Sequence, residues 1–202
     1  MVTTDRGVVA GNTYDKYGTK NPVARALMGG FLRSLGELLP RSPPRRVLEI
    51  GAGEGEIGRR LRARYPDASI VAVEYSPRLA ADAHRRTGLP YAAQSATQLG
   101  LRSSAFDLVV MCEVLEHLTD PEAALGEVAR VASGDVVLSV PREPLWRALN
   151  VLRGSYLADL GNTPGHVQHW SRSAFVEIVG RHLRVTRVRS PLPWTMVAAT
   201  RR

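Results

Sequence analysis

The stretch that decides the fold is Val47–Leu61, VLEIGAGEGEIGRRL. It starts with four residues of a largely apolar strand, continues with glycines that alternate with other residues, and ends in a basic amphipathic run. A strand that passes through a glycine loop into a helix is typical of the first unit of a parallel α/β sheet. Glycine has no side chain, so the loop backbone can approach a ligand closely. The sequence therefore predicts a ligand at this loop.

The rest of the chain repeats the alternation of strand and helix. Short apolar runs alternate with helical patterns as far as residue 140, and two of the helices begin with the capping pairs Ser76-Pro77 and Asp120-Pro121. Such alternation predicts crossover connections and a parallel, doubly wound sheet. After a helix at 171–183, two strand-like runs are separated only by a short turn, so they must be antiparallel. The predicted fold class is Rossmann-like α/β, mostly parallel with a C-terminal antiparallel hairpin and helices on both faces.

Length and composition restrict the class of protein. The 202 residues are 44% hydrophobic, which suits one globular domain. The net charge of +8 comes mainly from arginines scattered through every segment, a pattern that favours solvated surface over a nucleic-acid interface. A single cysteine, Cys112, can form neither an internal disulfide nor a cysteine-based zinc site. Neither a membrane span nor a secretory signal is visible, so we expect a cytoplasmic protein without membrane insertion.

Three ligands compete for the glycine loop. A phosphate loop requires Gly-Lys followed by Ser or Thr, and the corresponding residues here are glutamate, glycine and isoleucine. A dinucleotide fingerprint fits better, because Gly53, Gly55 and Gly58 satisfy G-x-G-x-x-G and Glu74 follows at the usual distance. That match alone is weak, and its first glycine lies two residues late.

The acidic residues of the loop distinguish the remaining ligands. Glu49, Glu54 and Glu56 crowd one loop, and carboxylates beside a pyrophosphate would repel it. These carboxylates favour a positively charged ligand instead. S-adenosylmethionine combines a nucleoside, a free ammonium and a positive sulfur, and it satisfies both the glycines and the acids.

Two stretches resemble the class I S-adenosylmethionine-dependent methyltransferases. Glu49-x-Gly51-x-Gly53-x-Gly55 is similar to the first motif of that family, and Glu74 in VAVEYS matches the acid that binds the ribose hydroxyls. Residues 106–131 are similar to the fourth-strand region of the small-molecule subgroup that includes ubiquinone-type O-methyltransferases. The resemblance covers about residues 45–141 and implies a seven-stranded mixed sheet in which the last strand is inserted.

The resemblance also implies a set of cofactor contacts. Where many relatives have an aspartate in a Gly-Asp-Ala context for the adenine amine, this chain has Gln94-Ser95-Ala96, so adenine recognition by Ser95 or Ala96 is an expectation. The expected product is S-adenosylhomocysteine, and no metal is expected. The predicted cofactor-binding residues are Glu49, Gly51, Ala52, Gly53, Gly55, Glu74, Tyr75, Ser95, Ala96, Cys112, Glu113, Tyr14 and Tyr17.

Histidines are the candidates for acceptor chemistry. His166 and His169 lie in NTPGHVQHW (162–170), a loop expected to pass over the acceptor side, where they would deprotonate or orient the acceptor or else fix the loop by hydrogen bonds. His117 follows the fourth main strand and has either a catalytic or a helix-start role. Cys112 is better explained as a buried small hydrophobe than as a nucleophile. The same position lacks the Asp/Asn-Pro-Pro-Tyr/Phe tetrad of base-amino methyltransferases, which makes nucleic acid unlikely as a substrate.

These observations predict one methyltransferase domain over residues 1–202. We expect a helical cap at 1–40, in which Tyr14 and Tyr17 close the pocket, a cofactor-binding core at 45–141, an acceptor-side lid at 142–170, and a helix with the closing hairpin at 171–202. The predicted reaction is methyl transfer to a small molecule, most plausibly to oxygen. The alternatives are an RNA-modifying methyltransferase, an NAD(P)-dependent oxidoreductase and a non-catalytic cofactor-binding protein. Monomer and homodimer both remain open.

Overall fold

The computed structural model describes residues 3–5, 8–10, 19–152, 156 and 159–202. Its strands are β1 (Thr3–Asp5), β2 (Val8–Ala10), β3 (Arg46–Ile50), β4 (Ser69–Glu74), β5 (Tyr91–Ala93), β6 (Phe106–Cys112), β7 (Ala132–Pro141), β8 (Leu183–Arg189) and β9 (Trp194–Arg201). Its α-helices are α1 (Pro22–Leu38), α2 (Glu56–Arg64), α3 (Pro77–Thr87), α4 (Pro121–Val131), α5 (Leu145–Leu152) and α6 (Arg172–His182), and a 3₁₀ turn spans Leu115–His117.

Seven strands form one mixed sheet in the order β5-β4-β3-β6-β7-β9-β8. The first five are mutually parallel, whereas β9 is antiparallel to both of its neighbours, β7 and β8. The strand order reverses between β3 and β6, which is where ligands bind in open α/β sheets. The predicted fold class, with its C-terminal antiparallel hairpin and its inserted last strand, is confirmed.

Two apolar cores cover the two faces of the sheet. One contains the buried side of α4 and α6, represented by Leu125 and Phe175, packed on β6, β7 and β9. The other contains α1 and α2, represented by Phe31 and Leu61, together with Trp146 of α5. Because helices pack on both faces, strand β6 is buried along nearly its whole length, which explains its unbroken apolar sequence.

Three helices start at residues whose side chains cap them, and two of these are the predicted pairs Ser76-Pro77 and Asp120-Pro121. The Asn21 side chain accepts hydrogen bonds from two amides in the first turn of α1, and Ser76 caps α3 in the same way. Asp120 Oδ1 accepts from the Ala123 amide over 2.9 Å at the start of α4. In each case proline occupies the first helical position, where its missing amide is not needed. These caps fix where the loops at the sheet edge end.

The terminal segments differ in part from the expectation. Residues 3–5 and 8–10 form the antiparallel pair β1 and β2, in accord with the β-branched residues of TTD and VVA, and α1 is the helix among the described residues of 1–40. Helix α1 packs against β8 and β9, and the Arg187 guanidinium donates to the carbonyls of Glu37 and Leu38. Tyr14 and Tyr17 lie outside the described residues. Among the described residues no helix has the length and apolarity needed to cross a bilayer.

Candidate active site

The glycine loop after β3 is held by backbone hydrogen bonds to β4. The amides of Gly51 and Ala52 both donate to the Val73 carbonyl, over 2.9 and 3.1 Å, and the Gly53 amide donates to Glu74 Oε2 over 2.8 Å. Gly55 caps α2 with a left-handed backbone. These hydrogen bonds give the loop a defined shape.

The three glycines of the motif have positive φ angles, of +71° at Gly51, +50° at Gly53 and +82° at Gly55. Their surroundings differ. A Cβ at Gly51 would overlap the Val114 side chain, and one at Gly55 would overlap the Tyr91 hydroxyl, whereas a Cβ at Gly53 would meet nothing within 4 Å. Gly51 and Gly55 thus make room for the protein itself. Gly53 is the position where the loop backbone is open to a ligand.

Glu49 is a buried carboxylate beneath this loop. Its side chain is only 3% exposed, and its Oε2 has no hydrogen-bond partner among the described residues. A Cβ at Gly58 would come within 2.5 Å of that oxygen, so the glycine allows the close approach. Burial raises the pKa of Glu49 to about 8, the Glu74 carboxylate acts in the same direction, and the Gly58 backbone opposes it. A buried carboxyl with an unused oxygen is suited to a cationic ligand.

Glu74 lies at the end of β4 and is also buried. Its two oxygens accept hydrogen bonds from the Gly53 amide and, over 3.1 Å, from the Ser76 amide. A carboxylate has about four acceptor positions, so it can still accept two ribose hydroxyls. The next residue, Tyr75, is half-buried at the same edge of the sheet.

The loop after β5 carries the residues expected near adenine. The Ser95 hydroxyl lies 2.8 Å from that of Thr97 and also accepts from the Thr97 amide, while Ala96 is buried. The Gln94 side-chain oxygen accepts from the Gly100 amide. These bonds form a closed turn at the sheet edge, and the assignment of Ser95 and Ala96 to adenine stays a prediction.

Cys112 and Glu113 end strand β6 at the same edge. Burial raises the pKa of the Cys112 thiol far above its ordinary value, so it is unsuited to act as a thiolate nucleophile. Glu113 has a left-handed backbone with φ of +58°. Its carboxylate accepts from Trp194 Nε1 over 2.7 Å and from the Ser139 hydroxyl over 3.2 Å. Glu113 therefore joins β6 to β7 and β9 behind the cofactor side.

The structure corrects the interpretation that three loop glutamates attract the ligand. Glu56 forms ion pairs with Arg59 and Arg60 on the outside of α2. These arginines lie three and four residues along the helix, the spacing that brings side chains together. The acidity directed into the site thus comes from Glu49 and Glu74, rather than from Glu56.

A second group of polar side chains lies between the end of β6 and the loop at 162–170. Glu116, His117 and His166 each offer a ligand atom, and these atoms all lie within 4.8 Å of one another. The rings of His117 and His166 pack edge to face with centroids 4.9 Å apart. Glu116 and His166 are buried, at 1% and 7% exposure. We refer to Glu116, His117 and His166 as the His–Glu cluster.

His169 does not join the His–Glu cluster. It is exposed, and its Nε2 lies 2.9 Å from the Asn162 side-chain oxygen. The loop is hydrogen-bonded to helix α5. The Asn150 side chain donates to the Gly161 carbonyl over 2.7 Å, and Trp146 Nε1 donates to the Thr163 hydroxyl. Of the two histidines predicted in this loop, the structure brings His166 into contact with His117 and leaves His169 at the surface.

Two residues near the site were missed by sequence reasoning. Glu116 is the acidic member of the His–Glu cluster, and a carboxylate beside His117 in the turn after a buried strand was the available signal. Tyr91 packs behind Gly55, and its buried hydroxyl has no hydrogen-bond partner among the described residues. Burial and then the charge of Glu49 raise the pKa of Tyr91 to about 12. No sequence motif marked Tyr91.

Comparisons with known proteins agree with this geometry. Residues 48–140 match the family described as "Methyltransferase domain". The malonyl-[acyl-carrier protein] O-methyltransferase of Geobacter sulfurreducens is 36% identical over 96 residues, which cover 46% of this chain and 36% of that protein. The demethylmenaquinone methyltransferase of Thermus thermophilus is 34% identical over 116 residues, covering 54% of this chain and 53% of that protein. The chain thus spans about half or less of these relatives.

A solved structure extends the comparison beyond the matched residues. The crystal structure of an S-adenosylmethionine-dependent methyltransferase from Mesorhizobium loti has a TM-score of 0.68 to this chain at 18% identity, covering 87% of this chain and 100% of the other. At that identity the likeness shows the fold alone. The chain thus has the fold of that methyltransferase, and residues 48–140, which are less than half of the chain, are similar in sequence to the methyltransferase domain.

Proposed function

We propose that this protein transfers a methyl group from S-adenosylmethionine to a hydroxyl oxygen of a small-molecule acceptor. The observation that carries the proposal is the placement of the His–Glu cluster at the carboxyl edge of the sheet, directly after the strand that ends beside the glycine loop. In this proposal, the glycine loop at this edge of the sheet binds the cofactor, and the adjacent His–Glu cluster accepts a proton. One of the two relatives is named an O-methyltransferase, which is consistent with oxygen as the acceptor atom.

The residues at the glycine loop fit the cofactor. Gly53 leaves the loop backbone open, Glu49 has a buried oxygen without a described partner, and Glu74 keeps acceptor positions for two hydroxyls. In this assignment Glu74 binds the ribose and Glu49 faces the cationic end of the molecule, directly or through water. When bound, S-adenosylmethionine supplies a methyl group activated by its positive sulfur. The contribution of the chain is to align the acceptor and to exclude water.

Proton removal explains the use of histidine and glutamate. A neutral hydroxyl is a weak nucleophile and must lose its proton as the new bond forms, which is the role of a general base. The Gly165 carbonyl can only accept, so His117 Nδ1, at 3.0 Å, carries the proton and donates to it. In a neutral imidazole with its proton on Nδ1, Nε2 is the nitrogen that accepts a proton. Between them, the members of the His–Glu cluster provide the acceptor sites for the hydroxyl proton.

The segment at 142–170 is assigned to the acceptor-side lid. Its described parts, α5 and the loop from 159, are joined through Asn150 and Trp146, and the loop is joined to the end of β6 because the Glu116 carbonyl accepts from the amides of Val167 and Gln168. Hydrogen bonds to α5 on one side and to the end of β6 on the other therefore fix the position of His166. Exposed apolar residues lie on the outside of this segment, among them Leu152 and Leu160.

An RNA acceptor is less well supported. The arginine-rich run of α2 is the densest basic segment, and two of its members form ion pairs with Glu56, which reduces their combined charge. Nucleic-acid binding depends on cations that are free to contact phosphates.

The test combines cofactor binding with turnover. Calorimetric titration with S-adenosylmethionine should show binding, whereas the nicotinamide dinucleotides should not bind. Formation of S-adenosylhomocysteine is then followed over a panel of phenols, hydroxy acids and carboxylic acids. With an active acceptor, His166→Ala and His117→Ala should lower kcat by at least about 100-fold, the usual contribution of a positioned base.

The matched control is His182→Ala, since His182 pairs with Glu122 between α6 and α4, away from the site. His169→Ala tests the exposed histidine in the same loop. If both His166→Ala and His117→Ala keep full activity, the proposed role of the His–Glu cluster is wrong. If S-adenosylmethionine binds and no acceptor class is methylated, a non-catalytic cofactor-binding protein becomes the better explanation.

A further inference from the structure

We infer that the His–Glu cluster, formed by Glu116, His117 and His166, is a binding site for one divalent transition-metal ion that also contacts the acceptor oxygen. The metal site stands on the geometry of the three side chains. Its part in acceptor activation rests on the proposed function. The inference replaces the expectation, drawn from the sequence, that no metal is involved.

The spacing of the ligand atoms is the first observation. All three lie within 4.8 Å of one another. Imidazole nitrogen and carboxylate oxygen bind zinc-like ions at about 2.0–2.2 Å, so ligands on one ion are separated by roughly 3–4 Å. The observed separations exceed those in a coordinated site by about 1–2 Å, so the three side chains would have to draw together on an ion.

The hydrogen bond of His117 is the second observation. Metal-binding histidines nearly always donate their other ring N–H to a carboxylate or a backbone carbonyl, which fixes the ring and the tautomer. His117 makes such a bond from Nδ1 to the Gly165 carbonyl over 3.0 Å. With Nδ1 held in this way, Nε2 is the ring nitrogen that would bind the ion. An imidazole that only packed against its neighbours would not need this arrangement.

The backbone around the cluster is the third observation. The Glu116 carbonyl accepts from the amides of Val167 and Gln168, over 2.8 and 3.1 Å, and the Gln168 side chain donates to the Leu118 carbonyl. These bonds hold the turn after β6 against the loop that carries His166. The two halves of the site, distant in sequence, are thus fixed relative to each other before any ion binds. Such pre-organisation favours metal affinity because little has to be ordered on binding.

Burial gives the cluster a reason to hold a cation. A carboxylate at 1% exposure and an imidazole at 7% exposure are expensive to place together in a protein interior. A divalent cation would offset that cost, because it would neutralise the carboxylate and be bound by the two imidazoles.

The ligand set indicates the kind of metal. Two imidazoles and one carboxylate are the protein ligands of catalytic zinc sites and of non-haem iron sites that keep open positions. Calcium and magnesium prefer oxygen ligands throughout. We therefore assign the site to a borderline first-row cation, with zinc, manganese and cobalt as usable probes. An open position on such an ion would bind the acceptor hydroxyl.

The balanced step is simple. With the ion bound, the histidines would act as its ligands and no longer as the base, and the coordinated hydroxyl would lose its proton to a solvent base more readily, because the cation would stabilise the oxyanion. The oxyanion pair forms the new O–C bond to the methyl group while the C–S bond breaks and its electron pair stays on sulfur. No oxidant or reductant is required.

The experiment measures metal binding directly on the full chain. Protein treated with a chelator and dialysed is titrated calorimetrically with Zn²⁺ and with Mn²⁺, and the Co²⁺ form is examined for visible d–d absorption. We expect one equivalent to bind. Glu116→Gln, His117→Asn and His166→Asn should each weaken binding at least tenfold and alter the cobalt spectrum.

The control is His182→Asn, which removes a histidine paired with a glutamate, Glu122, on the outside of the protein. It should leave the titration unchanged. Thermal unfolding checks that the variants are folded, and Glu116→Gln preserves shape if a histidine variant fails to fold. Absence of a stoichiometric site in the wild type, or equal losses in His182→Asn, would overturn the inference.

Two further readouts separate the metal site from the proposed function. Cofactor titration in the presence of chelator reports S-adenosylmethionine binding, whose absence contradicts the methyltransferase proposal without touching the metal measurement. If metal binds and chelation leaves turnover unchanged, the activating role is overturned, and a histidine base explains the reaction instead. Restoration of turnover by Mn²⁺ or Zn²⁺ supports the activating role.

Discussion

Replacement of Glu49 by glutamine should make the cofactor-free protein more stable at neutral pH. Burial and the Glu74 charge raise the pKa of Glu49 from 4.5 to about 8, so at pH 7 the folded protein holds a proton that the unfolded chain has released. Fewer protons bound in the unfolded state means that stability falls as pH rises. The loss of stability begins as pH rises past the ordinary pKa of 4.5 and ends near the raised pKa of about 8. In Glu49→Gln this loss should be absent.

The magnitude follows from that interval. About 2.5 pH units separate the ordinary value from pH 7, and each is worth about 1.4 kcal/mol, so the variant should gain up to about 3 kcal/mol over the wild type at pH 7. For a chain of this size 1 kcal/mol corresponds to about 2–4 °C in Tm, which predicts a rise of roughly 6–12 °C. At pH 4 the two proteins should differ little from this cause.

The assay is denaturant unfolding of both proteins at several pH values from 4 to 9. The pH dependence of the difference is the quantity of interest, because any other effect of the substitution is constant with pH. Glu54→Gln, which removes a more exposed carboxylate from the same loop, is the control for loss of charge. If the free energies of unfolding of the wild type and Glu49→Gln change in parallel between pH 5 and 8, Glu49 is not protonated in the folded protein at neutral pH and the reasoning is refuted.

The same residue should couple cofactor affinity to pH. A cationic ligand favours ionised Glu49, so binding of S-adenosylmethionine should release a proton below pH 8, and affinity should rise by up to about tenfold per pH unit in that range. Calorimetric titration in buffers of different ionisation enthalpy measures the released proton. In Glu49→Gln we expect weaker binding and no proton release. The substitution would thus stabilise the fold and impair the site, as is common for ligand-binding residues.

Other substitutions near the loop separate packing from ligand contact. Gly55→Ala should lower the free energy of unfolding by about 1–3 kcal/mol, measured by urea denaturation, because its backbone is left-handed and its Cβ would overlap Tyr91. Gly53→Ala has free space and should reduce S-adenosylmethionine affinity more than stability, which titration and denaturation together distinguish. Tyr91→Phe removes a buried hydroxyl without a described partner, so stability should change by less than about 1 kcal/mol or rise. Cys112 should react with alkylating reagents at least about 100-fold more slowly in the folded protein than in urea, as followed by mass spectrometry.

Local sequence signals predicted the elements that build the sheet. Strand β6 coincides with an unbroken apolar run, and helix α3 starts at the predicted capping pair Ser76-Pro77, because both signals are decided by nearby residues. The ion pairs of Glu56 could also be predicted from the sequence, since Arg59 and Arg60 follow at helical spacing. The interpretation that placed Glu56 toward the ligand did not use that spacing.

The chemistry of the site was less predictable, because it depends on contacts between distant parts of the chain. The His–Glu cluster forms only when the loop carrying His166 bonds to the Glu116 carbonyl, and neither segment alone reveals the other. The glycine motif shows a second limit. A sequence cannot tell whether a glycine makes room for a ligand, as at Gly53, or for another side chain, as at Gly51 against Val114.

The insertion of β9 between β7 and β8 has a consequence for biosynthesis. One edge of β7 pairs only with β9, which lies far along the chain. While a ribosome is still making the residues before Trp194, that edge of β7 presents unpaired amides and carbonyls beside a highly apolar strand. The nascent protein therefore passes through a period in which strand addition from another chain competes with its own completion. Helix α1, made early, packs on strands that do not yet exist, so it too waits for the last part of the sheet.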